Sequence, residues 1–405
     1  MIPGGQRPLD VFVVAGEESG DQLGFKVMRA LREATSGAVA FRGVGGHAME
    51  AEGLKSLFPM ADIAVMGFAP VIKKLPQLLA RIRETADAAI ARPPDVLLII
   101  DSPDFTHRVA RRVRAKLPDL PVVDYVSPSV WAWRPGRARK MRAYVDHVLA
   151  LLPFEPAAHA RLGGPACTYV GHPLIERLDQ LRPNVQEAER RAGLPPTLLV
   201  LPGSRRAEIE RLMDVFGEAV AQVRARVGEL DVVLPAVAHL EPLIRAKAAG
   251  WAAPPRIVLG EAEKLAAFRT ARAALAASGT VTLELALAQV PMVVAYKVSG
   301  LESLARFLIT APSIVLPNLI LGVRDIPEIL QEACTPAALA EALAPLVAGG
   351  EAREGQLAAL ARLDGLMTLA GGEAPSARAA RIVLESARPS GRQAPRDSGE
   401  GLNPR

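Results

Sequence analysis

The chain has 405 residues, 50% hydrophobic and 22% charged, a composition typical of a globular protein with more than one core. Aromatic residues make up only 4%, which argues against the stacking platforms of single-stranded nucleic-acid binders. The 48 basic and 43 acidic residues give a net charge of +5, which favours an anionic substrate or an anionic lipid surface and no nucleic-acid partner.

The sequence predicts a cytoplasmic protein. Its two cysteines, Cys167 and Cys334, form no C-x-x-C pair, and the first residues lack the charged and apolar regions of a secretory signal. No apolar run reaches the ~20 residues that cross a bilayer. We therefore expect any membrane contact to be peripheral.

Short apolar, β-rich runs alternate with amphipathic helical stretches. Predicted strands lie at 11–15, 96–100, 122–126 and 148–152, and then at 198–201, 231–234, 257–259, 273–277 and 292–296. Apolar strands that alternate with helices indicate parallel sheets buried on both faces. The predicted class is α/β, with two doubly wound Rossmann-like domains facing across a cleft.

A proline-punctuated polar helix suggests where the chain divides. We predict an N-terminal domain over residues 1–180 and a C-terminal domain over 181–387. The last residues, 388–405, are rich in Pro, Gly, Ser and Arg and read as a disordered tail.

The first predicted strand runs into a turn with the sequence Ala-Gly-Glu-Glu-Ser-Gly-Asp. Its backbone N–H groups would hold an anion, and its polar side chains would bind sugar hydroxyls. The substrate-binding residues predicted here are Gly16, Glu17, Ser19 and Asp21. An ordinary strand-to-helix turn with a capping Ser or Asp explains the same residues. The G-x-G-x-x-G fingerprint of dinucleotide binding is absent.

The strand at 96–100 ends in Asp101, which leaves an apolar strand directly into the predicted cleft. Parallel sheets bind ligands beyond the carboxyl ends of their strands, so Asp101 is placed to take a proton from a sugar hydroxyl as a general base. The alternative is a helix cap, formed by Asp101 or Asp104 beside Pro103.

Two segments combine apolar side chains with cations and are candidates for contact with lipid or with an acceptor phosphate. One carries Trp131, Trp133 and Arg134 ahead of a basic helix, a composition typical of headgroup contact, although core packing and a solvated helix face fit equally well. The other precedes a helix with an apolar stripe, and such stripes more often face a core. Its candidate residues are Met66, Phe68, Lys73 and Lys74.

Two strand ends in the second half resemble phosphate-binding loops. After 198–201 comes Pro-Gly-Ser-Arg, whose glycine lets the backbone approach a ligand and whose arginine offers a fork for two phosphate oxygens. After 273–277 comes Ser-Gly-Thr and a helix whose first amides would face a diphosphate, with a glutamate in reach of ribose hydroxyls. The residues are Gly203, Ser204, Arg205, Ser278, Gly279, Thr280 and Glu284. A surface turn and an ordinary capped helix are the alternatives.

Asn318, in the segment Leu-Pro-Asn-Leu, is a further candidate for the cleft lining. The six histidines show no paired metal-ligand spacing. We therefore predict that the protein uses no metal and no other cofactor.

Taken together and in this order, the segments resemble the lipid A disaccharide synthase family. They lie at 15–21, 101–105, 127–134, 201–205, 277–280 and 317–319. The resemblance implies a GT-B fold, with the acceptor and membrane side on the first domain and the UDP-sugar site on the second, and final helices that pack back on the first. It also implies that Asp101 is the essential acidic residue and Arg205 the nucleotide-site arginine. The spacing from Ser278 to Glu284 is similar to that in the bacterial transferase that makes the peptidoglycan lipid precursor, where the Glu binds ribose.

The resemblance further implies the reaction. The family transfers 2,3-diacylglucosamine from UDP-diacylglucosamine to diacylglucosamine 1-phosphate, with inversion, which gives a β-1,6-linked disaccharide 1-phosphate and UDP. The implied setting is an anionic membrane surface, with the protein attached peripherally to the inner membrane, and a homodimer is one assembly that the family likeness allows. The alternatives are a UDP-sugar epimerase of the same architecture and a non-enzymatic module that binds nucleotide sugars.

Overall fold

The protein contains two parallel sheets, and their strands alternate along the chain with the helices that cover them. The computed structural model describes residues 7–63, 68–298 and 311–387, without the side chains of 68–74. Within these ranges each sheet has six strands, in the order β2-β1-β3-β4-β5-β6 and β12-β11-β10-β7-β8-β9. The first sheet consists of β1 Leu9–Ala15, β2 Val39–Val44, β3 Val96–Ile100, β4 Val122–Tyr125, β5 His147–Ala150 and β6 Ala166–Tyr169. The second consists of β7 Thr197–Leu201, β8 Asp231–Ala236, β9 Arg256–Leu259, β10 Ala273–Ala277, β11 Met292–Tyr296 and β12 Glu328–Leu330.

Helices connect the strands on both faces of each sheet. In the first half they are α1 Glu18–Ala34, α2 His47–Ala51, α3 Phe68–Ala91, α4 Pro103–Lys116, α5 Gly136–Met141, α6 Glu155–Arg161, α7 Leu178–Leu181 and α8 Val185–Ala192. In the second half the described helices are α9 Arg206–Val227, α10 Glu241–Ala248, α11 Glu261–Thr270, α12 Val281–Leu287, α13 Leu316–Leu321, α14 Pro336–Ala348, α15 Glu351–Met367 and α16 Pro375–Ser386.

The central strands are buried on both faces because successive side chains point to opposite sides of a strand. In β3, Leu97 and Ile99 enter one apolar cluster, whereas Leu98 and Ile100 enter another on the opposite face. The second sheet is enclosed in the same way. This architecture confirms the predicted α/β class with two doubly wound domains.

The strands that the sequence did not reveal lie at sheet edges. β2, β6 and β12 are each at one end of a sheet, and their residues are mostly half-buried or exposed. An edge strand needs no continuous apolar run, because solvent covers part of it. The apolar pattern that found the central strands is therefore weak there.

The last described helix, α16, returns to the first sheet. Ala379, Ile382 and Val383 join the apolar cluster that contains Val11 and Val13 of β1. Near the start of this return, the Tyr169 hydroxyl donates a hydrogen bond of 2.7 Å to the carbonyl oxygen of Met367. The chain therefore passes between the two sheets more than once, and the division at residue 180 stays a prediction.

In the part of the chain that the structure describes, no helix is long and apolar enough to cross a membrane. The apolar stripe of α3 contributes to the first core, where Ile82 is 3% and Ala86 0% exposed. Met66 lies outside the described residues, as do the side chains of Phe68, Lys73 and Lys74. Their predicted membrane contact stays a prediction.

Candidate functional site

A cavity of about 600 Å³ opens at the carboxyl ends of β7, β8 and β10. Its lining includes seven of the residues predicted for nucleotide binding, namely Gly203, Ser204, Arg205, Ser278, Gly279, Thr280 and Glu284. The volume lies within the range of small-molecule sites, roughly 300–1,000 Å³. The fold therefore brings these predicted strand ends together in one place, and their role in binding stays a prediction.

The loop after β7 is organised by a glutamate that the sequence analysis did not single out. One carboxylate oxygen of Glu208, Oε2, accepts hydrogen bonds from the backbone N–H of Ser204 at 2.9 Å and of Arg205 at 3.1 Å. Gly203 has φ +112°, and a Cβ there would lie 2.2 Å from the same oxygen. The glycine makes room for Glu208 rather than for a ligand, and these two amides are already occupied.

Arg205 is the most accessible cation of this loop. Its side chain is 74% exposed, and its nearest carboxylate contact is a long one, 3.6 Å from Nη1 to Glu208 Oε1. A guanidinium held loosely in this way keeps its donors available for phosphate oxygens. The Arg205 side chain, rather than the Ser204 and Arg205 amides, is therefore the donor that this turn leaves available to an anion.

The second loop, residues 278–280, is held by a hydrogen bond from its first residue. The Ser278 hydroxyl donates a 2.9 Å hydrogen bond to the carbonyl oxygen of Ile314, while Gly279 and Thr280 are exposed at the cavity. The helix that follows, α12, has seven residues. Ser278 therefore positions the loop, and Gly279 and Thr280 form its open surface.

A chain of ion pairs that includes three cavity-lining residues, Glu261, Lys264 and Glu284, was not predicted from the sequence. Lys264 Nζ lies 3.1 and 3.2 Å from the two carboxylate oxygens of Glu284 and 3.1 Å from Glu261 Oε2. Arg177, from the segment between the sheets, donates at 2.9 Å to the other oxygen of Glu261. Burial opposes ionisation of Glu261, but Arg177 and Lys264 hold its pKa below the ordinary value. No motif marks Lys264, because Glu284, the partner that it meets at the cavity, lies 20 residues farther along the chain.

In the first domain, Asp101 is held at the end of β3 by the turn after β1. The Ser19 hydroxyl donates to Asp101 Oδ2 at 2.8 Å, and the Ser102 amide donates to Oδ1 at 2.8 Å. In return, the Ser102 hydroxyl donates to Glu17 Oε1 at 2.8 Å. Gly16 permits this contact, since a Cβ there would lie 2.5 Å from Ser102 Cβ. Three predicted residues, Glu17, Ser19 and Asp101, are thus joined by Ser102 into one hydrogen-bonded cluster, against which Gly16 packs.

The backbone at this edge is strained. Asp101 has φ +54° and Ser102 φ +47°, and Val126 at the end of the neighbouring strand has φ +91°. Positive φ is uncommon outside glycine and is an outlier for a β-branched residue such as valine. Such conformations cost of order 1–3 kcal/mol each and cluster at functional sites. The strain therefore supports the assignment of this edge as a site.

The environment of Asp21 differs from the predicted contact with a sugar hydroxyl. Its side chain is 1% exposed, and its carboxylate accepts hydrogen bonds from the backbone N–H groups of Gly46, Ala48 and Met49 at 2.8–3.1 Å. These donors belong to the start of α2, whose amides need an acceptor. Asp21 caps that helix and has no accessible oxygen left for a sugar hydroxyl.

The position of Asn318 also differs from its predicted place in the cleft lining. It is 2% exposed, and its amide group donates at 2.9 Å to the Ile326 carbonyl and at 2.9 Å to Glu328 Oε1. Its own oxygen accepts from the Ile326 amide at 3.1 Å. Asn318 closes the connection between α13 and β12 and does not line the cavity.

The two tryptophans after β4 have different environments. Trp131 is half-buried and packs at 5.1 Å, edge to face, against the ring of Phe154, which makes it a packing residue rather than a lipid anchor. Trp133 is 39% exposed, with the guanidinium carbon of Arg134 4.1 Å from its ring centre. Of the three candidates in this segment, Trp133 and Arg134 keep the exposed geometry that an interfacial contact requires.

Comparison with known proteins decides the family. The family model described as lipid-A-disaccharide synthetase matches residues 11–368. The chain belongs to this family. It is 59% identical over 377 residues to the lipid-A-disaccharide synthase of Nitrobacter hamburgensis, covering 93% of this chain and 95% of that protein. The corresponding protein of Bradyrhizobium diazoefficiens is 54% identical over 389 residues, covering 96% and 99%. The chain is therefore an enzyme, a glycosyltransferase of lipid A biosynthesis.

Solved structures share the fold at low identity. MurG of Acinetobacter baumannii aligns with a TM-score of 0.55 and 14% identity over 93% of this chain and all of that one. CalG4, the calicheamicin glycosyltransferase, aligns at 0.58 and 18%, covering 94% and 98%. The UDP-GlcNAc 2-epimerase of Neisseria meningitidis aligns at 0.56 and 12%, covering 94% and 99%. These likenesses show the GT-B fold alone, and the epimerase alternative gains no support beyond it.

Proposed function

We propose that this family member transfers 2,3-diacylglucosamine from UDP-diacylglucosamine to diacylglucosamine 1-phosphate. The products are UDP and the β-1,6-linked tetraacyl disaccharide 1-phosphate. The donor is a UDP-sugar, and the acceptor is a sugar phosphate. The observation that carries the proposal is the cavity lined by Gly203–Arg205, by Ser278–Thr280 and by Glu284, in a chain of this family.

The cavity suits a nucleoside diphosphate. Arg205 and Lys264 supply positive charge at its wall, while Glu284 offers acceptor oxygens for ribose hydroxyls. Lys264 is bound to Glu284 in the unliganded protein, so the nucleotide has to share or replace that contact. Arg205 neutralises the charge that develops on the departing diphosphate, a role that a metal ion often performs.

Asp101 is proposed as the general base. The acceptor's 6-hydroxyl oxygen attacks the anomeric carbon of the donor, and the new carbon–oxygen bond forms as the bond to the UDP oxygen breaks. The hydroxyl proton passes to the Asp101 carboxylate, and UDP leaves with the bonding electron pair. Ser19 and Ser102 hold the carboxylate by its two oxygens, which fixes the direction of proton transfer.

The first domain is proposed to meet the lipid. Exposed Trp133 and Arg134 combine a ring with a cation, the pair of groups that suits a headgroup region. We further propose peripheral attachment to the cytoplasmic face of the inner membrane, and a homodimer as the assembly.

The test is a reaction of the purified protein with both lipid substrates in mixed micelles that contain excess chelator. Mass analysis follows the lipid products. Equal amounts of UDP and disaccharide 1-phosphate support the proposed reaction and its independence of metal. Activity that disappears with chelator and returns with a divalent cation contradicts the metal-free mechanism.

Two controls separate the alternatives. UDP-sugar incubated without a lipid acceptor should stay unchanged, and an isomerised sugar would indicate an epimerase. Binding of UDP-sugar without turnover, in the presence of both substrates, would favour a binding module.

A further inference from the structure

The loop between β4 and α5 joins the two parts of the proposed active site. It starts next to Asp101, whose amide donates at 3.0 Å to the carbonyl oxygen of Tyr125, the last residue of β4. Farther along, Trp131 and its neighbour Phe154 pack against an apolar cluster formed largely by residues that follow β7. The loop, residues 127–135, therefore runs from the catalytic edge of the first domain to the apolar contact with the second.

A buried carboxylate holds this loop. Glu155, the first residue of α6, is 3% exposed. Its Oε1 accepts a 3.1 Å hydrogen bond from the indole Nε1 of Trp131, and its Oε2 accepts one of 2.9 Å from the Leu152 amide. Each oxygen thus has a donor, one from the loop and one from the end of β5. A glutamate is rarely buried this completely unless it is paired.

We propose that Glu155 is a positioning residue for sugar transfer, which fixes the 127–135 loop through Trp131 so that the acceptor is held beside Asp101. The inference rests on the proposed function, because it assigns the acceptor to this loop. Arg134, exposed at the end of the loop, is the cation that the positioned loop presents to the acceptor phosphate. Glu155 itself contacts no substrate.

The charge state of Glu155 makes the contact sensitive to pH. Burial raises the pKa of Glu155 to about 7, the hydrogen bonds from Leu152 and Trp131 oppose the rise, and Asp124 of β4 adds to it. Besides Asp124, the titratable groups nearby include Cys167 and Tyr169 of β6, whose pKa values are raised by burial and by the negative charge of Glu155. His159 of α6 lies 2.8 Å from the Ser127 hydroxyl of the loop, and burial lowers its pKa. Above about pH 7 the ionised carboxylate accepts both bonds strongly. Below it, the protonated group holds Trp131 less well.

The experiment compares the full-length wild type with Glu155→Gln and Trp131→Phe. Glutamine keeps one acceptor oxygen but presents an NH₂ group to the second donor, and phenylalanine keeps a packed ring without the indole N–H. At about pH 8 we expect either change to raise the acceptor KM roughly tenfold, with the donor KM within roughly twofold of wild type. In the wild type the acceptor KM should rise roughly three- to tenfold from about pH 8 to about pH 6. In Glu155→Gln only the smaller change caused by ionisation of the acceptor phosphate, whose second pKa is about 6, should remain.

A matched control is Trp251→Phe. Trp251 is buried, and its Nε1 has no hydrogen-bond partner within the described structure. Removal of its indole N–H should therefore leave both KM values at the wild-type level. The indole N–H signal of Trp131 in an NMR spectrum, assigned with Trp131→Phe, gives a second measurement. It should shift with a midpoint near pH 7 in the wild type and stay fixed in Glu155→Gln.

The outcomes separate the inference from the proposed function. A wild-type acceptor KM and pH profile in Glu155→Gln, even with lowered thermal stability, overturn the positioning role. If that variant does not fold, an unchanged acceptor KM in Trp131→Phe overturns it instead. If the wild type is inactive but its Trp131 signal still titrates, the proposed reaction is refuted, whereas the contact between Glu155 and Trp131 is supported.

Discussion

The Ser19 hydroxyl donates to Asp101 Oδ2 at 2.8 Å, so the turn after β1 orients the carboxylate at the end of β3. This contact bridges segments far apart in sequence and fixes one oxygen of the proposed base. Because the Ser102 amide holds the other oxygen, the carboxylate cannot rotate without losing a hydrogen bond.

Replacement of Asp101 by Asn removes the proton acceptor and keeps the shape of the side chain. We expect kcat to fall by roughly a hundred- to ten-thousand-fold, with little change in UDP affinity, as measured by initial rates and by nucleotide titration. Asp104→Asn is the matched control, since that carboxylate is 85% exposed and should retain normal turnover. Near wild-type turnover in Asp101→Asn would exclude the general base.

Replacement of Arg205 by Met tests the phosphate contact. We expect UDP affinity to fall roughly ten- to a hundred-fold, as for loss of hydrogen bonds to a charged group. Arg205→Lys should retain only part of the UDP affinity, because an ammonium group cannot bind two phosphate oxygens in the bidentate geometry of a guanidinium. The adjacent Arg206 pairs with Glu210 at 3.5 Å outside the cavity lining, so Arg206→Met should bind UDP normally. Equal losses in both Met variants would instead indicate a general surface-charge effect.

Lys264→Met separates two roles of the cavity lysine. If Lys264 contacts the diphosphate, the variant should bind UDP roughly fivefold or more weakly while its affinity for uridine stays the same. If it only orients Glu284, both affinities should fall together. We expect the first result, measured by calorimetric titration. Lys247→Met is the control, because Lys247 pairs with Asp214 at 2.6 Å away from the cavity.

Gly203→Ala should lower the free energy of unfolding by about 1–3 kcal/mol and weaken UDP binding. The added Cβ would need positive φ and would meet the Glu208 carboxylate, which has to leave the Ser204 and Arg205 amides. Gly355→Ala is the opposite case, since that glycine lies in α15 with open space around it. There we expect a gain of up to about 1 kcal/mol. Denaturant titration measures both, and a stabilised Gly203→Ala would contradict the account of this loop.

Glu155 should also give the stability of the protein an unusual pH dependence. Its pKa is raised by burial from 4.5 to about 7, so the folded state binds the proton more tightly than the unfolded state. The free energy of unfolding therefore decreases as the pH rises through this window, by up to about 3 kcal/mol from this group alone. In urea titrations, the free energy of unfolding of the wild type should exceed that of Glu155→Gln, and this difference should decrease between about pH 5 and about pH 8. A difference independent of pH would place the Glu155 pKa outside the window.

The sequence predicted those parts of the fold and of the candidate site in which a local residue pattern and the chemistry of the neighbouring side chains agree. Buried central strands carry continuous apolar runs, and the polar residues after them, such as Asp101 and Arg205, lie at the strand ends. The pattern could not show that Asp21 and Asn318 are consumed by backbone partners, because those partners are set by tertiary packing. For the same reason it missed Glu208, Lys264 and Glu155, whose roles arise from side chains that meet only in the folded chain.

The return of α16 to the first sheet also affects when the protein can fold. The N-terminal sheet emerges from the ribosome long before Ala379 and Val383, which complete its apolar cluster. A nascent chain that stops before this helix leaves part of that core open to water, the kind of surface that favours aggregation and chaperone binding. The first domain to be synthesised is thus completed only after α16 has been translated, and its stability depends on that helix.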